Sequence, residues 1–406
     1  MHDPTVEMVH MLFVSFCYSL RRSVTKHHHY RQQPNGRMCV SVLTGYPRAD
    51  RRRYVARLLY QLLVPVDRNA APSAARQPRD IHVYCDGECD GTLRTEFDSV
   101  AFHSLTTTSE EEENFDRPLL RRLDNPMNDT IELSGVEFRR HRWLYATRNY
   151  RRMLDDLFLP SHPGAVAGAG APYRSCLVLE DDLVLAPDAL SYIEAAERLM
   201  RRDRTVFTGS LFADNSYPLY ARDRRSFRRV DHFAGLGFVV TRRRYVDELR
   251  RTVWWRAGLR NWDEQVQKFV RRRRLVSVVP EVGRALHLRR TSNSSERPRP
   301  SPPRHPFESQ LLNDEILSEY ELDRLERSAY DRHIVDVVRR GRRIRYLADA
   351  LFFDDDDGTL VYSDCKDDAD LHRILTERSL WGVGNGGIVR GSYRGTMFFR
   401  YTVWTF

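Results

Sequence analysis

The sequence predicts an α/β fold, a central mixed sheet flanked by helices with a smaller lobe at the C-terminal end. Short apolar runs at Cys39–Leu43, Ile81–Cys85 and Cys176–Leu179 have the length of buried strands, and Arg51–Leu63, Arg139–Leu157 and Ala189–Met200 follow with helical apolar spacing. The third run ends in Glu180-Asp181-Asp182, and in open α/β sheets the loops after strands are where ligands gather. With 406 residues the chain can bury a full core and holds one large domain plus a smaller one.

Taken in order, Thr44 to Asp50 is the loop from the first strand into its helix, and the second strand ends at Asp86-Gly87. Glu110 to Asn128 is a polar surface excursion before the long helix, whose Trp143, Tyr150, Leu154 and Leu157 seek the core. The Gly and Ala residues of Pro163–Ala171 make a flexible connection to the acidic strand. Beyond it, Pro187-Asp188 leads into the Ala189–Met200 helix, Thr205–Ser210 is a strand, and Ala213 to Ser216 is a polar turn. A hairpin-like unit is expected around His232–Val240, with helices at Tyr245–Arg250 and from Trp262, and a strand at Leu275–Val279. Pro298–Pro306 is an ordered lid or an interdomain linker, which divides the chain into an N-terminal segment 1–37, a large domain 38–297, and a linker with a small strand-containing lobe 298–406. Asp354–Gly358 lacks the closing Glu of a helix-loop-helix calcium site and reads as a solvated turn; the Gly382–Gly387 loop lacks the ending of a nucleotide phosphate loop.

The formal charge of +9 is carried almost entirely by Arg, with Lys only at Lys26, Lys268 and Lys366. Phosphate binding gives no reason to exclude Lys, and neither zinc-finger spacing nor an RNA-binding aromatic signature is present, so no specific nucleic-acid partner is expected. The six cysteines form no dense disulfide framework; Cys85 and Cys89 are close enough for a local bridge and equally plausible as free thiols. The apolar stretch Met11–Tyr18, followed by Arg21-Arg22, is shorter than a bilayer span, leaving a signal anchor and a truncated start as alternatives. Asn128-Asp129-Thr130 and Asn293-Ser294-Ser295 are glycosylation triplets that matter only in a lumenal chain.

The acidic triplet carries the chemistry. Three carboxylates delivered at the exit of a buried strand are costly unless a cation or polar ligand meets them. Their hard oxygens suit manganese or magnesium, which can neutralise charge on a diphosphate leaving group. If Asp182 alone contacts the ion, Asp181 and Glu180 are left to hold the ribose or the donor sugar. Asp263, after Trp262 at a helix start, is either a helix cap or the general base for an attacking hydroxyl, and the two roles can coexist. On the loops after the first two strands, Asp86 can accept from a uracil imide and Arg48 can pair with phosphate; either is equally an ordinary surface residue.

In order along the chain, Val178–Leu183 with Ala186-Pro187-Asp188, Asp231–Phe238, Trp262-Asp263-Glu264, Pro280-Glu281-Val282, Ala329–Arg332 and Ser392–Gly395 form a set of blocks. Their order and spacing resemble the alpha-1,3-mannosyl-glycoprotein 2-beta-N-acetylglucosaminyltransferase family, including its protein O-mannose branch, from about Cys39 to Phe398. The resemblance implies the A-type nucleotide-sugar fold and an inverting, manganese-dependent transferase, with magnesium as a possible substitute. It implies UDP-GlcNAc as donor, a mannose-terminated glycan or glycoprotein as acceptor, and a Golgi-membrane enzyme with a lumenal catalytic domain.

Carried over by position, Asp182 is the metal ligand, Asp181 the uridine-diphosphate contact, Glu180 the donor-sugar contact and Asp263 the base. Arg48 and Asp86 fall at nucleotide positions, Leu236 in the donor pocket, and Ser294 in a mobile loop that meets the diphosphate. Three departures stand out. Asn149 replaces a nucleotide-binding histidine, Glu264 replaces an aspartate after the base, and Arg289–Asn293 lacks the family's loop glycines. A related hexose transferase and a non-catalytic nucleotide-sugar-binding protein are the competing readings.

Overall fold

The computed structural model describes residues 38–44, 49–63, 80–85, 89–105, 135–159, 173–218, 220–252, 262–288, 310–317, 319–343, 361–362, 383–384, 388–394 and 396–397. All of them fall within one compact unit, Gly36–Phe406. The expected surface excursion, the flexible Gly/Ala connection, the Pro/Arg-rich segment, the Asp354–Gly358 turn and the N-terminal segment 1–37 lie outside the described residues. No helix among the described residues is long and apolar enough to cross a membrane.

The fold is a mixed α/β arrangement. β1 (Met38–Thr44), β2 (Ile81–Cys85), β3 (Ala101–Ser104), β4 (Ser175–Glu180) and β8 (Phe238–Thr241) form a five-stranded sheet in the order β3-β2-β1-β4-β8. The first four strands run parallel, and β8 joins β4 antiparallel. Alternation along the strands sends side chains to two separate cores. Val40, Val42, Leu177 and Leu179 pack with Val55, Leu58 and Leu59 of α1 (Ala49–Leu63) and with Ile193, Ala196 and Leu199 of α4 (Ala189–Arg202). Cys39, Cys176 and Val178 face the other way, onto Met153, Leu154 and Leu157 of α3 (Gly135–Phe158) and Val266, Phe269 and Val270 of α5 (Trp262–Arg272). The short α2 (Gly91–Glu96) is capped by Asp90, whose carboxylate accepts the amides of Thr92 and Leu93.

The expected hairpin around His232–Val240 does not form. β7 (Phe227–Val230) pairs antiparallel with β9 (Val276–Pro280) in a second sheet of order β6-β9-β7, where β6 is Val206–Gly209, whereas β8 belongs to the large sheet. Residues 231–237 therefore cross from one sheet to the other. Gly237 makes the crossing with φ +64°, where a Cβ would also press on Leu211, so side chain and backbone both favour glycine. Each flanking strand finds a better partner far away in sequence than in its neighbour, which a local pattern cannot reveal.

The third ladder is small and positions the site. β5 (Leu183–Leu185), directly after the acidic turn, pairs antiparallel with β10 (Ala285–His287), so His287 lies opposite Leu183. The Leu288 amide adds a bond to the Asp182 carbonyl at 2.8 Å. A fully buried ion pair anchors this ladder: Arg284 Nε donates to Asp188 Oδ2 at 3.1 Å, and its other nitrogens donate to the carbonyls of Val282 (2.7 Å) and Arg224 (2.5 Å). Towards the C-terminus lie α6 (Arg327–Arg340) and several two-residue ladders, among them Ser392–Tyr393 with Thr396–Met397.

Candidate active site

β4 carries the acidic residues out of the sheet, and the turn at residues 181–182 splays them. Asp181 is 1 % exposed and points back into the sheet, where Thr44 Oγ1, at the end of β1, donates to its Oδ2 at 2.6 Å. Glu180 and Asp182 are half-buried on the open side. There they meet His287, which β10 delivers: one ligand atom from each of Glu180, Asp182 and His287 lies within 4.8 Å of the others, and His287 Nε2 is 3.4 Å from Asp182 Oδ2. Two carboxylates and one imidazole at this spacing are a donor set that fits a divalent ion. Glu180, expected at the donor sugar, thus also belongs to the metal-capable group.

The electrostatics are those of crowded negative charge. Burial, and then the neighbouring Asp182, push Glu180 up to about 7, while the Tyr150 hydroxyl and His287 pull the other way. His287 is raised above the ordinary histidine range, first by its bond to Asp182. A cation placed among them would relieve the repulsion between the carboxylates.

Asp263 follows Trp262 at the start of α5. It stands exposed in the first turn of α5, and its Oδ1 accepts the Glu264 amide at 2.8 Å. Burial by the surrounding protein raises its carboxyl, opposed by that amide and by the charge of Arg390. The link to the acidic strand is Tyr150 of α3. Its hydroxyl donates to Glu180 Oε1 at 2.6 Å, and its ring stacks on Trp262 with centroids 3.9 Å apart. Burial, then the charge of Glu180, raises the Tyr150 hydroxyl well above its ordinary value, with smaller contributions from the charges of Asp182 and Asp263, so it stays protonated as a donor. Trp262 is fixed in turn by Phe238, stacked at 5.8 Å, and by Phe233, edge-on at 5.7 Å.

Of the other expected residues, Asn149 is buried beside Tyr150 on α3. Leu236 is partly buried on the crossing between sheets, packs against the first core, and accepts the Ser210 hydroxyl at its carbonyl, 3.3 Å away. Arg48, Asp86 and Ser294 lie outside the described residues. Cys85 and Cys89, left open above, form a disulfide with Cα atoms 5.3 Å apart, directly after β2. Three participants were not assigned from sequence: His287, Thr44 and the hydroxyl of Tyr150. Nothing local marks His287, since it depends on the β5–β10 pairing.

A carboxylate-imidazole group at a parallel strand end of a mixed α/β chain lies where ligands gather in open sheets and can hold a metal ion. Residues 126–404 match the GNT-I family, and the chain belongs to that family. A curated relative, the alpha-1,3-mannosyl-glycoprotein 2-beta-N-acetylglucosaminyltransferase of Arabidopsis thaliana, is 28% identical over 262 residues, covering 62% of this chain. The chain spans about half the length of that relative, 53%. Among solved structures, mouse xyloside xylosyltransferase 1 overlaps with a TM-score of 0.27 and 11% identity, over 57% of this chain and 76% of its own. A Desulfovibrio desulfuricans chain assigned as a nucleotide-diphospho-sugar transferase overlaps with a TM-score of 0.26 and 12% identity, over 60% and 78%. Overlaps this small carry no argument here.

Proposed function

We propose that the chain is an inverting glycosyltransferase that moves N-acetylglucosamine from UDP-GlcNAc to a mannose hydroxyl in β-1,2 linkage, on an A-type nucleotide-sugar fold in the Golgi lumen. The observation that carries this is Tyr150, whose hydroxyl bonds Glu180 of the metal-capable group and whose ring stacks on Trp262, the residue before Asp263. The printed activity of the plant relative and membership of the GNT-I family favour this donor and acceptor.

Glu180, Asp182 and His287 would hold the divalent ion. Imidazole in the donor set favours manganese over magnesium, which prefers oxygen ligands throughout. When bound, the ion supplies positive charge to the diphosphate. Asp181, tied to Thr44, stays ordered at the nucleotide end of β1 and β4, and Arg48, Asp86, Asn149, Leu236 and Ser294 are proposed to complete the donor site. At the acceptor side, Asp263 Oδ1 is engaged by the Glu264 amide, which leaves Oδ2 to take the proton. The acceptor oxygen loses that proton to Asp263 and bonds to the anomeric carbon from the face opposite the diphosphate. The bond from that carbon to the phosphate oxygen breaks, UDP leaves with the electron pair, and the configuration inverts. The Trp262 and Tyr150 rings hold the start of α5, so the base is presented on a rigid element.

The deciding measurement is UDP release from UDP-GlcNAc with manganese or magnesium, with and without mannose-terminated glycans, followed by linkage analysis. Release that requires acceptor, abolished in Asp182→Ala and cut by about a thousandfold or more in Asp263→Asn with donor binding retained, is the expected result. Transfer from another UDP-hexose alone would correct the donor. Donor binding without release under any condition would leave only a binding module.

A further inference from the structure

We propose that Thr44 is a positioning residue for the metal-capable group: its hydroxyl holds Asp181 inside the sheet, and that hold sets the turn from which Glu180 and Asp182 meet each other and His287. The inference rests on the reading of Glu180, Asp182 and His287 as the holders of the ion.

Along β4 the side chains alternate between the two cores. Leu179 is fully buried in the first core, whereas Glu180 meets the Tyr150 hydroxyl of α3 on the other face. Leu183, at the start of β5, is again fully buried in the first core. Between these two leucines the chain has three residues in which to present two carboxylates outwards and turn back. Asp181 is the middle one, and at 1 % exposure it is the carboxylate kept inside. A charge so placed is costly unless a donor meets it. Strand register supplies the donor. Leu43 lies opposite Glu180 in the parallel β1–β4 ladder, which brings the next residue of β1, Thr44, alongside Asp181. Thr44 is itself buried and donates through Oγ1 to Asp181 Oδ2 at 2.6 Å. On its other edge Thr44 is in register with Cys85 of β2, so the hydroxyl is carried by a strand paired on both sides.

The far side of the turn is fixed separately. The Leu288 amide donates to the Asp182 carbonyl at 2.8 Å, and His287 lies opposite Leu183 in the β5–β10 ladder. The turn is thus clamped between β1 and β10, with Asp181 as the point that β1 holds. The residues on either side of that point, Glu180 and Asp182, are the ones whose oxygens lie within 4.8 Å of one another and of a His287 nitrogen. Two carboxylates this close repel each other, and a turn released at Asp181 can open to separate them. Part of the binding free energy of an ion would then go into closing the turn, whereas the Thr44 bond keeps it closed beforehand.

The test measures manganese binding through the electron paramagnetic resonance signal of the free ion, which requires no turnover. It compares the full parent chain with Thr44→Val, Thr44→Ala and Thr44→Ser, with manganese chloride alone and with UDP added. Valine keeps the shape of threonine without the donor, and serine keeps the donor without the methyl. Alanine leaves room for a water beside Asp181, so it reports even where the valine chain does not fold. Thr44→Val should bind manganese about tenfold more weakly, Thr44→Ala should move the same way, and Thr44→Ser should stay within about twofold of the parent. A packing role predicts the opposite order, with valine near the parent and serine as weak as alanine, and that order overturns the proposal. Parental affinity in folded Thr44→Val or Thr44→Ala overturns it too, and leaves the transferase reading standing if the parent releases UDP to acceptor. Binding that is weakened in Thr44→Val and restored in Thr44→Ser, in a parent that never releases UDP, would sink the transferase reading while supporting the role of Thr44. A parent that takes up no manganese with or without UDP overturns the proposal at its premise.

Discussion

Tyr150 places its ring on Trp262 and its hydroxyl on Glu180, so substitutions of different severity separate the two halves of the site. Tyr150→Phe keeps the stack and removes the donor. It should lower stability by about 1 kcal/mol and weaken metal-dependent donor binding, while leaving the Asp263-dependent acidic limb of kcat in place. Tyr150→Leu also loses the stack and should depress kcat as α5 loosens at its start. Chemical denaturation, calorimetric titration and the pH profile of kcat read the three effects, and a Tyr150→Phe variant with parental metal response would show that the hydroxyl does not support the metal group. Helical spacing identifies the Tyr150 ring as a core residue, which it is at 2 % exposure. That spacing is blind to the hydroxyl, because the carboxylate it serves lies on a different element.

At the scale of elements, the strands β1, β2 and β4 and the helices α1, α3, α4 and α5 were legible from apolar runs and spacing, since each is specified by its own local pattern. The acidic exit of β4 was legible for the same reason. The pairing of β5 with β10 and the division of β7 and β8 between two sheets were not, because a ladder is defined by its partner, and these partners are distant in sequence. His287 inherits that opacity. Two of the resemblance blocks acquire a physical role here: Ala186-Pro187-Asp188 and Pro280-Glu281-Val282 flank the Asp188–Arg284 pair that anchors the β5–β10 ladder. Arg284→Met leaves Asp188 buried without its guanidinium, with the Tyr320 hydroxyl, 2.8 Å from Oδ2, the donor that remains among the described residues. A loss of about 3–5 kcal/mol is expected in urea unfolding. A loss below about 1 kcal/mol would mean that the ladder stands without this anchor.

Across the whole molecule, three buried or half-buried carboxylates join segments far apart in the chain. Burial alone would raise each, but partners outweigh it: Thr205 and Arg229 at Asp203, His232 and Arg390 at Asp214, Arg228 and the amides of Arg222 and Asp223 at Glu281. All three are held below the ordinary carboxylate range. A folded-state value below the unfolded one, near 3.9 for Asp and 4.3 for Glu, gives stability that is complete above about pH 5 and lost as acid protonates the folded group. Unfolding free energy should therefore fall steeply below about pH 5, and the deficit of Asp214→Asn relative to the parent should narrow as pH drops. A deficit constant from pH 7 to pH 3 would count against this linkage.

The covalent bond between Cys85 and Cys89 ties the end of β2 to the residue just before the Asp90 helix cap. Glutathione-poised cytosol keeps such thiols apart, whereas the secretory route lets them join. The end of β2 is therefore closed only where an oxidant is present, and chains produced in a reducing host would carry this corner unfastened.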